Sequence, residues 1–137
     1  VNVTVSGLDA LRRKLQAMQA QVKAEVQASL EQSGAEMVAT ARALAPVDEG
    51  ELRDSIVMSK PGELTPLYGG GGQRKVGDLA VRVTAGDART RYAFHIEAGT
   101  SKMAARPYFW PAYRVLKKKI KGRTSRAIGK AVRKAVK

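Results

Sequence analysis

The chain has 137 residues, 44% of them hydrophobic, with no cysteine, one histidine and a formal charge of +13. That length and mixture suit one compact domain with an appendage, burying roughly two-thirds of its unfolded surface. The missing cysteines exclude disulfides and thiolate metal sites, and a single histidine, His95, speaks against a protein-built zinc site, so no metal and no cofactor is expected.

The charge is clustered. Arg114 to Lys137 carries 11 of the 25 Lys and Arg and no acid, which leaves 14 basic against 12 acidic residues in the body. No apolar run approaches the roughly 20 residues of a membrane span, and Val-Asn-Val-Thr-Val lacks the features of a signal peptide. The expectation is a soluble chain with no membrane partner.

Asn2 to Val5 alternates as a short strand would, with Val1, Val3 and Val5 on one face, and Ser6 has the character of a helix cap reinforced by Asp9. From there Leu8, Leu11, Leu15, Met18, Val22, Val26, Leu30, Met37, Ala41 and Leu44 recur at helical spacing and make one apolar stripe. Unbroken, this helix would be about 57 Å long, more than such a domain needs. Either it bends at Ser33-Gly34, or its first turns project and pack on another subunit.

Ala45 to Ile56 predicts a corner. Pro46 stops the helix. Asp48, with Glu51 three residues later, caps a short turn, Gly50 gives the backbone freedom, Leu52 and Ile56 seat the turn on a core, and Arg53 and Asp54 point elsewhere. Ser55 to Ser59 continues as a strand. Pro61 to Gly77 predicts an irregular, mobile hairpin loop, and its run Gly69 to Gly72 lacks the Gly-Lys-Ser/Thr ending of a phosphate loop. Ala80 to Ala85 and Arg91 to Glu97 both alternate, the second with Tyr92, Phe94 and Ile96 on one face and His95 on the other. They predict two antiparallel strands joined through Gly86-Asp87.

Gly99 and Thr100 then break the pattern, and Arg106-Pro107-Tyr108-Phe109-Trp110-Pro111 sets three aromatics beside a cation. This is either a platform on which bases stack or a helix start docking on the core, with Pro107 or Pro111 in its first turn. From Ala112 a helix is predicted, broken near Gly122-Arg123-Thr124 and resuming at Ser125. Ile128, Ala131, Val132, Ala135 and Val136 share one of its faces. Its bases Lys117, Lys118, Lys119, Lys121, Arg123, Arg126, Lys130, Arg133, Lys134 and Lys137 are candidates for contact with phosphate backbones without base reading. Simple solvation, or docking on an acidic protein or a membrane face, are the other readings. There is no nucleophile elbow, no H-E-x-x-H and no marked pair of buried carboxylates, so no enzyme is expected.

Taken together, two stretches resemble the tail-component family of long-tailed bacteriophages. The first is Ala45-Pro46-x-Asp48-x-Gly50-x-Leu52-Arg53-x-Ser55-Ile56 after a long helix. The second is Tyr92-Ala93, Glu97, Gly99-Thr100, Ala105-Arg106-Pro107-Tyr108 and Pro111-Ala112. The likeness covers about Leu8 to Leu116; Glu49 stands where a small hydroxyl residue is common, and the basic tail lies outside the pattern. It implies an α+β fold, a long N-terminal helix on a small antiparallel sheet, with residues 1–116 as the domain and 117–137 as a basic helical extension. It implies structural or interface roles for Pro46, Asp48, Gly50, Leu52, Arg53, Ser55, Tyr92, Glu97, Gly99, Thr100, Arg106 and Pro107. Functionally it implies a virion subunit at the head–tail junction, assembled in the host cytoplasm. The subunit would form a six-fold or twelve-fold ring, as a connector or a tail terminator, among neck, portal-side and tail proteins. DNA passes through or stops inside such a ring, where the tail would meet it. The alternative is a stand-alone basic nucleic-acid-binding protein.

Overall fold

In the computed structural model, which describes residues 8–46, 50–67 and 72–136, the residues Leu8–Leu44 form one unbroken helix, α1. The bend considered at Ser33-Gly34 does not occur. Gly34 instead marks where another element presses on the helix: a Cβ there would collide with the sulfur of Met58 and lie 3.3 Å from the Val81 side chain. Between Ala10 and Gln21 every side chain described is exposed except Met18, which is half-buried, so the first turns do project.

The helix ends as Pro46 dictates, with Ala45 N–H donating to Ala41 O as the last bond (2.9 Å). Gly50, at φ 82°, turns the chain into the short helix α2, Glu51–Asp54. Leu52 and Ile56 are buried in the core, as expected. Asp48, the expected cap, lies outside the described residues, as do Ser6 and the strand predicted at Asn2 to Val5.

Strand β1, Val57–Ser59, pairs antiparallel with β2, Arg82–Thr84, with Val57 opposite Thr84, Met58 opposite Val83 and Ser59 opposite Arg82. The connection is less irregular than predicted. Leu64 bridges Lys75, flanked by Gly62 N–H to Val76 O, Val76 N–H to Glu63 O and Thr65 N–H to Arg74 O (2.8–2.9 Å). Residues 68–71, most of the glycine run, lie outside the described residues.

The strand predicted over Arg91 to Glu97 is instead a helix, α3, Ala93–Ala98, and β2 finds its partner in β1. The alternation was misleading because Phe94 is 72% exposed, while Ala93, Ile96 and Glu97, at i, i+3 and i+4, turn inward. His95 sits exposed on α3.

The last helix, α4, Phe109–Val136, is likewise unbroken. The break predicted at Gly122-Arg123-Thr124 fails because the packing of α4 outweighs the roughly 1 kcal/mol that glycine costs a helix. It lies antiparallel along α1, and three ties mark the register. Glu36 takes Lys119 Nζ on one oxygen (2.6 Å) and Arg123 Nη2 on the other (2.7 Å); Arg123 Nη1 donates to Ser33 Oγ (3.0 Å); Lys134 Nζ reaches Glu25 (3.4 Å). Met37, Ala41, Leu52, Ile56, Tyr108, Ala112 and Leu116 form the core where the two helices, α2 and the sheet meet. The class is α+β, as the sequence implied.

Hydrogen bonds from Lys119 and then Arg123 hold the Glu36 carboxyl below the ordinary 4.5. A depressed carboxylate pKa stabilises the fold above the unfolded value and loses that contribution as pH falls through the folded one. Denaturation midpoints should therefore fall on acidification below about pH 4.5, and Glu36→Gln should flatten that fall. Identical acid profiles for the variant and the parent chain would remove Glu36 from the helix pairing.

Candidate assembly surfaces

The residues singled out in the two stretches build two corners. In the first, Ser55 Oγ donates to Leu52 O (2.6 Å) and accepts from Gly86 N–H (3.0 Å), which ties α2 to the exit of β2. Arg42 donates through Nε and Nη2 to Ile56 O (3.1 and 2.8 Å), anchoring the same turn to α1. Arg53 and Asp54 point into solvent, as expected.

In the second corner, Glu97 is the organiser. Its carboxylate accepts from the N–H groups of Tyr108 (2.8 Å), Phe109 (2.9 Å) and Trp110 (3.0 Å). The next residue, Pro111, has no N–H, so one side chain from α3 satisfies the free donors at the start of α4 and sets a negative charge at its positive end. Gly99, at φ 78°, lies so close to the returning chain that a Cβ would be 2.7 Å from Ala105 N. Thr100 closes the intervening turn through Oγ1, accepting from Met103 N–H (3.1 Å). Arg106 N–H donates to Ile96 O (2.8 Å), while the Arg106 and Pro107 side chains are exposed and Tyr92 is 41% exposed. Tyr108 is buried, its hydroxyl donating to Ala93 O (3.3 Å) and its phenol pushed up to about 12 by burial and then by Glu97. Of the two readings of this aromatic segment, the structure shows the helix start docked on the core, with Pro111 in its first turn.

A family model described as bacteriophage HK97-gp10, tail component, matches residues 9–99, which takes in α1, the first corner and α3. The chain belongs to this HK97-gp10-like tail-component family. It is therefore a structural component of a phage tail and works in the virion among other tail proteins. The match stops before Arg106-Pro107 and α4. No curated protein and no solved structure matches the chain.

On this tail component, two apolar surfaces lie uncovered. One is a groove of about 450 Å³ between the projecting turns of α1 and the end of α4, lined by Leu15, Met18, Val22, Val26, Leu79 and Val132. The other, at the start of α4, displays Phe94 (72% exposed), Trp110 (54%) and Tyr113. The basic helix is divided in two. Lys119, Arg123 and Lys134 are engaged by Glu36 and Glu25, whereas Arg114, Lys117, Lys118, Lys121, Arg126, Lys130 and Arg133 are exposed with no carboxylate partner among the described residues. Lys137 lies outside the described residues. Among the described residues, no group of three His, Asp or Glu is placed to hold a metal, and no helix is long and apolar enough to cross a membrane.

The acids that hold α4 went unnoticed in the sequence, although a signal was there. Glu25, Ser29, Ser33 and Glu36 recur at helical steps as a polar row beside the apolar stripe, which is the signature of a second, polar packing line. Replacing the capping carboxylate, Glu97→Ala, should cost about 1–2 kcal/mol. In urea the midpoint should drop with an unchanged slope; an unshifted midpoint would show that α4 is not started by Glu97.

Proposed function

We propose that this tail component is a ring-forming subunit at the head–tail junction, acting as a connector or as the terminator of the tail, with a structural rather than catalytic role. The observation that carries the reading is the pair of uncovered apolar surfaces at opposite ends of the antiparallel pair α1 and α4. Contiguous exposed apolar surface marks interaction sites. When the aromatic end of one copy meets the groove of the next, the contact is heterologous and repeats, and it closes into a ring when the rotation permits. The polar clusters of the described chain are already used in capping and helix pairing, in keeping with a structural role. A stand-alone nucleic-acid-binding protein would present its aromatics as a stacking platform; here Tyr108 is buried and Phe109, Trp110 and Tyr113 meet one another edge to face.

Leu15 (50% exposed) and Val132 (46%) lie at the surface, so polar replacements there leave the core intact. By native mass spectrometry the parent chain should form a closed oligomer. The variant carrying Leu15→Glu and Val132→Glu should be monomeric with an unchanged circular dichroism spectrum. An equally assembled variant would exclude the groove as the subunit contact.

A further inference from the structure

We infer that the sides of α4 turned away from α1 are a binding surface for the phosphate backbone of duplex nucleic acid, made by Arg114, Lys117, Lys118, Lys121, Arg126, Lys130 and Arg133. The structure selects these seven from the eleven Lys and Arg between Arg114 and Lys137. Each is exposed, and none is paired with a carboxylate among the described residues, whereas Lys119, Arg123 and Lys134 are held against α1. Arg114, Lys117, Lys118 and Lys121 cluster on one side of the helix, and Arg126, Lys130 and Arg133, at i, i+4 and i+7, form a second group about half a turn round it, the groups following each other along about 28 Å of helix. A duplex presents about 16 phosphates over that length.

The partner's chemistry follows from what the face lacks. The segment from Arg114 to Lys137 contains no acid. The one threonine there, Thr124, donates its hydroxyl to Ile120 O rather than outward. Ser125 is the one exposed uncharged hydroxyl of the segment, which holds no Asn or Gln to read adenine, so what the face offers is cations, which hold phosphates whatever the sequence. A membrane-surface helix buries its apolar side in lipid. In α4 part of that side, Ala112, Leu116, Ala131 and Ala135, is already buried within the protein, and Ile128, Val132 and Val136, which stay exposed near its end, are what a vesicle would have to take. A phosphate backbone needs only the cations. Where the face points in an assembled ring rests on the reading proposed above, but the binding itself does not.

The test uses the full chain, a fluorescent 30-base-pair duplex of mixed sequence, and anisotropy titrations across salt concentrations. Seven neutralised phosphates predict a slope of log K against log salt of about −6, or a loss of several thousandfold between about 50 and 200 mM salt. Lys117→Gln, Lys118→Gln and Lys121→Gln together should reduce the slope by nearly 3. Lys119→Gln with Lys134→Gln should leave it unchanged, and circular dichroism checks that each variant is folded. The inference is overturned by no duplex binding at low salt, by a triple variant with the parent's slope, or by anionic phosphatidylserine vesicles binding where the duplex does not. Native mass spectrometry of the same samples separates the two readings. A ring that ignores DNA ends this inference and keeps the ring; a monomer that binds with the expected slope ends the ring and keeps this face.

Discussion

Everything in this fold depends on α4 lying antiparallel along α1. A helix of 37 residues gains little from its own backbone bonds in water; its stability comes from burying a face. The helix α4 is less able still to stand alone, since its many cations include like-charged neighbours one turn apart that repel. Glu36, taking a lysine on one oxygen and an arginine on the other, and Glu25 further along, supply the opposite charge. Both sit on α1. The sheet follows the same dependence, because a two-stranded ribbon is marginal by itself and here rests on α1 where Gly34 lets Met58 approach.

The corners transmit this arrangement to the rest of the chain. Ser55 and Arg42 lock the turn after α1 to the sheet and back to the helix. Glu97 then fixes where α4 begins and in which direction it leaves. Residues that look like a functional signature in the sequence are thus mostly the joints that aim two long helices. Several of them, Arg53, Arg106 and Pro107 included, are exposed and can make contacts outside the chain.

The long elements were legible because their patterns run for many turns, and the corner at Pro46 and Gly50 because each residue has one backbone role there. Arg91 to Glu97 was not, since seven residues fit a period of two as well as one of 3.6, and only the inward turn of Ile96 and Glu97 decides. The glycine at position 122 was read as a break because propensity is local, whereas Arg123 is held by partners some ninety residues away. For the same reason net charge overstated the free cations of the tail: three of them are spoken for by acids on α1. The groove beside Leu15 was foreshadowed only as a helix too long for its domain.

The proposal made from the tail-component family, the two uncovered apolar ends and the outward cations is a subunit that repeats around an axis at the joint between head and tail. Electron microscopy of particles from a phage with an early stop codon in this gene tests that claim most directly. The account predicts DNA-filled heads beside separate tails, of normal length for a connector or uncontrolled length for a terminator. Joined, infectious particles with normal tails would contradict it.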